Sequence, residues 1–322
     1  MCQLDPQPAE PDACVPRDDD PSAVTAGSPA LTAAGAADAA AEIILPSAAA
    51  AAGQGSAIES PLRCYKLIIA YDGSEFFGWQ RQSAARTVQA TLEEAISTIT
   101  GDPIVHLLGS SRTDTGVHAL GQCATFRSRS WKSPASSLPL AINSQLPADV
   151  VVRAASEMPM SFNPIRNARS KRYRYAVYAS RINNPLARRQ AWWVKRRIDI
   201  EAMRQAARAL LGRHDFASFQ TSGSPRKSTV RTVKAIDIFG ADTMDGQSVN
   251  IEIEADGFLY NMARSIAGTL VLAGLKRKPV GWVGEVLSAR DRKRAGPTAP
   301  AHGLCLLEIH FPIHADEPDP CA

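Results

Sequence analysis

The chain has 322 residues, 45% hydrophobic and 21% charged, enough for a sizeable core and close to the balance of an ordinary soluble globular protein. Its cysteines (Cys2, Cys14, Cys64, Cys123, Cys305 and Cys321) are scattered without a Cys-x-x-Cys pair, which argues against a disulfide framework or a zinc site and for a reducing compartment. The net charge of +4 hides an asymmetry, since residues 1–60 hold nine acidic residues against Arg17 alone, or −8, leaving +12 for the remainder. So basic a remainder suits a polyanionic partner, nucleic acid being the commonest, although on charge alone a generic basic surface fits equally well.

Residues 1–60 are rich in Ala, Pro, Asp and Ser and offer few large apolar side chains, so they are expected to be disordered. Glu42–Leu45 could form a helical turn, but Pro46 cuts it short. Asp18, Asp19 and Asp20 are the opposite of an import peptide's composition, which leaves organelle import open rather than indicated. No apolar run is long enough to span a bilayer; the most apolar helical stretch, 258–275, contains Arg264. Membrane association is not expected.

The folded part opens with Tyr65, Leu67, Ile69 and Tyr71 alternating as a strand, followed by an Asp72-Gly73 turn and a Phe76-Phe-Gly-Trp79-Gln segment unusual for a plain loop. A helix follows, capped by Thr87, with Val88, Leu92, Ala95, Ile96 and Ile99 on one face and Gly101 at its end. Ile104–Leu107 reads as a short strand leading into the loop at 109–119, and Gly121–Phe126 as the strand leaving it. Within that loop Gly109 and Gly116 permit a tight turn with Asp114 at its tip and Arg112 two residues before it. On residue types alone a purely structural turn is the favoured reading of Asp114.

Leu138–Leu146 reads as a helix and Val150–Ala154 as a strand. A basic run (Arg166, Arg169, Lys171, Arg172, Arg174) merges into a strand that puts Tyr173, Tyr175 and Val177 on one face and Arg174 and Tyr178 on the other, with a solvated basic edge. Arg188-Arg189 and Lys195-Arg196-Arg197 flank Trp192-Trp193, a mixture that suits a nucleic-acid surface, though the tryptophans fit a core equally well. A helix from Asp199 to Leu211 stops at Gly212, His214 reads as structural, and Val233–Phe239 and Val249–Ala255 pair as a hairpin. A helix from Phe258 to Gly274 buries Met262, Ile266, Leu270 and Ala273; Arg264 falls off that stripe, where a solvated arginine is the default. Cys305–Phe311 is a last strand.

The run Gly109-Ser-Ser-Arg112-Thr113-Asp114-Thr-Gly116-Val117-His118-Ala119 resembles the signature loop of the tRNA pseudouridine synthase A family, usually Gly-Ala-Gly-Arg-Thr-Asp-Ala-Gly-Val-His-Ala. Ser110, Ser111 and Thr115 depart from it in small residues. The resemblance extends over residues 64 to about 311 in family order. It includes Tyr71-Asp-Gly-Ser with Gly78-Trp-Gln, Arg86-Thr-Val-Gln, Lys171-Arg-Tyr173-Arg-Tyr175, Asp215-Phe-Ala-Ser-Phe219, Met262-Ala-Arg264-Ser-Ile-Ala-Gly268 and Thr298-Ala-Pro-Ala-His-Gly303-Leu. Ala263 and Ser265 stand where the family has Val and Asn.

The resemblance implies an α+β pseudouridine synthase fold of two similar halves whose antiparallel sheets meet around a central cleft. Residues 61–162 would form the N-terminal half, 163–314 the C-terminal half and 315–322 a tail. It implies isomerisation of uridine to pseudouridine in tRNA, at positions 38, 39 or 40 of the anticodon stem-loop, by a homodimer that needs no cofactor or metal, in the cytoplasm or nucleus. Asp114 would be the catalytic residue, Arg264 would reach it, and Tyr173 would pack against the target base. Arg112 is placed to fill the flipped base's space or hold a phosphate, and Arg172, Arg188 and Arg189 are expected to meet substrate. A neighbouring Arg would keep the Asp ionised. A glycosidase would want a second carboxylate, which the Asp114 loop lacks. A non-catalytic tRNA-binding module would be expected to have lost Asp114, Tyr173 or Arg264, and all are present.

Overall fold

The structure, a computed structural model, describes residues 60–221 and 228–312. Nearly all of the expected N-terminal extension, its Glu42–Leu45 turn, Arg226, Lys227 and the tail lie outside the described residues. In chain order the elements are β1 (Arg63–Tyr71), α1 (Val88–Thr100), β2 (Leu108–Gly109), β3 (His118–Ser128), α2 (Leu138–Asn143) and β4 (Val150–Met158). Then come β5 (Ser170–Ala179), β6 (Trp192–Val194), α3 (Ile200–Ala207), β7 (Gly212–Asp215), β8 (Val230–Thr243), β9 (Gly246–Ala255), α4 (Met262–Gly274), α5 (Trp282–Ala289) and β10 (Leu304–His310).

The local signals act as their chemistry requires. The Thr87 side chain accepts from the Ala90 amide, satisfying a free N–H of the first turn of α1, and Gly101 closes the helix at φ 74°. Asp199 caps α3 through the Ala202 amide. Several element bounds need correction, the helix expected from Asp199 to Leu211 among them, whose α-helical part ends at Ala207 before a single 3-10 turn. Ile104–Leu107 is not a strand: side chains of α1 occupy its backbone, Gln89 donating to the Leu107 carbonyl and Glu93 accepting from the Leu107 amide at 2.9 Å. The helix expected from Phe258 begins at Met262, because Asn261 sits in the left-handed region at φ 59°. The helix expected to reach Leu146 ends at Asn143. α5, β6 and the brief β7 carry too few periodic residues to be read beforehand.

The strands form a ten-stranded sheet in the order β4-β1-β3-β10-β5-β9-β8-β7, with β2 beside β3 and β6 beside β5. Pairing is antiparallel except for β6 with β5 and for β10 with β3. The strands before residue 160 lie at one end and those after 169 at the other. β10 joins them through a short parallel register, Cys305 opposite His118 and Leu306 opposite Ala119. α1 and α2 pack together, α2 also on β4; α3, α4 and α5 pack together, α3 on β8 and α4 on β5. One core runs through both ends and includes Tyr65, Leu92, Tyr173, Ile251 and Ile266.

The basic run on β5 is not a solvated edge, for β5 is flanked by β10 and β9. Arg174 and Arg172 both meet Glu252 on β9, and Arg172 also meets Asp237 at 2.8 Å. Helix α4 is buried almost all round, Ser265 and Thr269 included, and the Thr269 hydroxyl satisfies the Ser265 carbonyl. Gly268 is required there, since a Cβ would stand 1.9 Å from the Pro297 carbonyl oxygen. That close approach lays the 296–299 segment along the helix that carries Arg264.

Candidate active site

Asp114 is held by a loop whose backbone is pinned from below. The Trp79 amide donates to the Thr113 carbonyl at 3.0 Å and the Val117 amide to the Asp114 carbonyl at 3.1 Å. Gly78 has φ 84°, and a Cβ there would lie 2.7 Å from the Thr113 oxygen, so the Phe-Phe-Gly-Trp segment is the platform on which the loop sits. Trp79 in turn packs on Gly109, where a Cβ would come within 2.5 Å of the indole. The Tyr71 and Thr113 hydroxyls bond at 2.8 Å, and the Gln122 amide brackets Ser111 by accepting from its N–H and donating to its carbonyl. His118 fixes the far end: its Nδ1 accepts from the Gly73 amide and its Nε2 faces the His302 carbonyl. A carbonyl only accepts, so the ring proton belongs on Nε2. Asp72 lies 3.1 Å from Nδ1, but with the proton on Nε2 that nitrogen serves Gly73.

The Asp114 carboxylate is 35% exposed, and no described residue hydrogen-bonds it. Its nearest charge is Arg264, whose Nη1 stands 3.8 Å away, close enough for Coulombic attraction but beyond a hydrogen bond. Burial raises the Asp114 pKa and Arg264 opposes the rise without cancelling it. Arg264 thus acts in the direction expected of a neighbouring arginine, toward the ionised form, while desolvation is the larger influence on this carboxyl. Arg264 is not solvated either. Its Nε donates to the Ala299 carbonyl at 2.7 Å and its Nη1 to the Asn261 Oδ1 at 2.7 Å, which hold the guanidinium beside the carboxylate.

Tyr173, 6% exposed, comes from the middle of the sheet. Its hydroxyl meets the Ser111 hydroxyl at 2.9 Å, and Phe258 packs edge-on to its ring with centroids 4.8 Å apart. Burial, with a further push from the Asp114 charge, moves the phenol up to about 12, so it stays neutral at physiological pH. The structure thus brings together Asp114, Arg264 and Tyr173, one from each of three distant stretches of chain.

The other arginines are placed differently. Arg112 is exposed and makes no hydrogen bond or ion pair with any described residue. Arg172 projects from the face of β5 opposite Tyr173 by strand alternation, and its guanidinium is occupied by Glu252 and Asp237. The structure does not bring it to Asp114. Arg188 donates to the Pro185 carbonyl and Arg189 pairs with Glu75 at 2.9 Å, both on an exposed loop. Sequence reasoning missed Asn261, Ser111 and Phe258. An Asn just before a helix is a weak signal for a left-handed residue, and nothing local announces the other two. Among the described residues no group of three or more His, Cys, Asp or Glu could hold a metal, and no helix is long and apolar enough to cross a membrane.

With this geometry in place, the chain can be compared with known proteins. The model of a family described as tRNA pseudouridine synthase matches residues 67–165 and 206–312. The tRNA pseudouridine synthase A of Acetivibrio thermocellus is 44% identical over 250 residues, 78% of this chain and 100% of that protein. The proteins of the same name from Geotalea uraniireducens and Myxococcus xanthus are each 42% identical, covering 78% and 76% of this chain and 100% and 91% of their own length. A solved Cbf5-Nop10-Gar1 complex aligns at 10% identity and TM-score 0.32 over 75% of this chain and 48% of its own, too distant to bear weight. Two matched segments that together span more than half the chain, and relatives aligned end to end around the Asp114 loop, place this chain in the tRNA pseudouridine synthase family.

Proposed function

We propose that the protein isomerises uridine to pseudouridine in tRNA and that Asp114 is its catalytic residue. The reaction breaks the N1–C1′ bond, turns the base and joins C5 to C1′; the proton lost from C5 is balanced by one gained at N1. Reactant and product are isomers, so the balance calls for no oxidant, reductant or group donor. A carboxylate can attack C1′ or stabilise positive charge there. The observation that carries the reading is a half-buried Asp114 without a hydrogen-bond donor among the described residues, 3.8 Å from Arg264 and on the same loop as Ser111, which meets the Tyr173 hydroxyl.

The roles follow from position. Arg264 supports the carboxylate, with Asn261 and the Ala299 carbonyl holding its planar fork. Tyr173 offers a neutral ring to a base turned out of its stem. Exposed Arg112 suits a phosphate or the space the base vacates. Arg188 and Arg189 remain candidates for the RNA backbone, whereas the carboxylates around Arg172 favour a role within the sheet. We further assign the target to positions 38–40 of the anticodon stem-loop, the working form to a homodimer, and the setting to the cytoplasm or nucleus. Division into halves near residue 162 accords with the strand distribution across the sheet and with the two matched segments. The test is to incubate unmodified tRNA transcripts with the purified protein and map the products. Pseudouridine confined to 38–40 is expected; none, or product only elsewhere, would contradict the assignment.

A further inference from the structure

A second basic site lies at the far end of the strand that carries Tyr173. Where β5 ends at Ala179, β6 and the β8–β9 turn close around a recess of about 380 Å³ lined by Arg181, Lys195, Arg196 and Arg197, with Asp245 as its one acidic group. Backbone and side-chain hydrogen bonds hold the residues around it. The Ser180 amide donates to the Val194 carbonyl, the Trp193 indole to the Ser180 carbonyl, and buried Gln247 accepts from the Ile198 amide, each at 3.0 Å. Gly246 makes the closure close-fitting, since a Cβ there would lie 2.4 Å from the Ala179 oxygen.

The charges are unevenly matched. Arg197 is held by Asp242 at 2.6 Å, and Lys195 lies over the Trp193 ring. Arg181 and Arg196 are exposed and make no hydrogen bond or ion pair with any described residue. Like charges converging on one concavity repel one another, and the concavity focuses their field on whatever anion enters. Guanidinium forks match the oxygens of a phosphodiester. Ala179 stands six steps beyond Tyr173 along β5, roughly 20 Å at about 3.3 Å per residue. An anion seated here therefore cannot belong to the reacting nucleotide.

We propose that this recess is a second RNA-backbone subsite, in which Arg181, Lys195 and Arg196 hold phosphates of the same tRNA whose target base is at Asp114. The proposal rests on the chain acting on tRNA. It assigns the Lys195-Arg196-Arg197 run a function that the site around Asp114 does not use.

The test compares the parent with the triple variant Arg181→Gln/Lys195→Gln/Arg196→Gln and with the single charge reversal Arg196→Glu. All three side chains are exposed, so thermal midpoints should match the parent's and report any misfolding. Affinity for unmodified tRNA is measured at several salt concentrations, with single-turnover pseudouridine formation at saturating tRNA alongside. Each lost phosphate contact flattens the slope of log K against log salt by roughly 0.7–0.9. We expect the triple variant's slope to be shallower by about 2 and its Kd in moderate salt to rise at least tenfold. Arg196→Glu should weaken binding as well, and in both variants the loss should fall on Kd rather than on the saturated rate. Parent-like slope and Kd in the triple variant would overturn the subsite. The assay separates this failure from failure of the functional reading, in which none of the three proteins would make pseudouridine.

Discussion

At Asp114 two opposed influences meet, and their order sets the pH behaviour. Burial raises the carboxyl's pKa and Arg264 lowers it by less. If the carboxylate is the working form, activity is present above that raised pKa and falls as pH drops through it. The acid limb of the rate should therefore lie above the ordinary aspartate range, near 3.9. Arg264→Gln removes the opposing charge and should move the limb to higher pH; Arg264→Lys should move it less while still lowering turnover, because the planar fork is lost. A limb that stays put in Arg264→Gln would disconnect the two groups. The sign for stability is the reverse of a salt-bridged aspartate: with the folded pKa above the unfolded one, folding favours the protonated form, and this contribution is lost as pH rises through the folded pKa. Asp114→Asn should accordingly melt no lower than the parent at neutral pH, read by calorimetry. At Tyr173, Ser111→Ala should cost about 1–3 kcal/mol, because it leaves the buried Tyr173 hydroxyl without its partner. Tyr173→Phe should retain more turnover than Tyr173→Leu, since it keeps the ring.

Helix α4 carries the argument at the next scale. Leu270 is fully buried, and Leu270→Ala should cost about 2–5 kcal/mol in a denaturant titration. Gly268→Ala tests something more specific. Its methyl would meet the Pro297 carbonyl at 1.9 Å, so the 296–299 segment must shift, and with it the Ala299 carbonyl that holds Arg264. Turnover should fall along with stability, more than in a buried variant of equal cost remote from the segment. Helix ends with a chemical marker were legible in the sequence, as Thr87, Gly101 and Asp199 show. The start of α4 was not, because Phe258–Asn261 are apolar or helix-tolerant and the left-handed Asn261 meets partners, Arg264 and Thr221, that no local pattern reveals. Likewise the β-like pattern at Ile104–Leu107 is overridden by two side chains of α1, partners that alternation cannot reveal.

Across the whole molecule the site spans the joint of the sheet. The Asp114 loop belongs to the end formed before residue 160, Tyr173 and Arg264 to the end formed after 169, and β10 links them through the register of Cys305 and Leu306. Family motifs made the three residues legible one at a time. Their convergence, and the ion pairs that hold Arg172, depend on strand order that no local pattern encodes. Because the family match starts at residue 67 and relatives align end to end over 78% of this chain, a protein lacking residues 1–59 should form pseudouridine at the parent's rate. The most direct measurement is pseudouridine formation by purified Asp114→Asn on unmodified tRNA. An amide keeps the shape but neither attacks C1′ nor balances positive charge there. We expect near-parent tRNA affinity and no detectable product; product at anything near the parent's rate would contradict the assignment of Asp114.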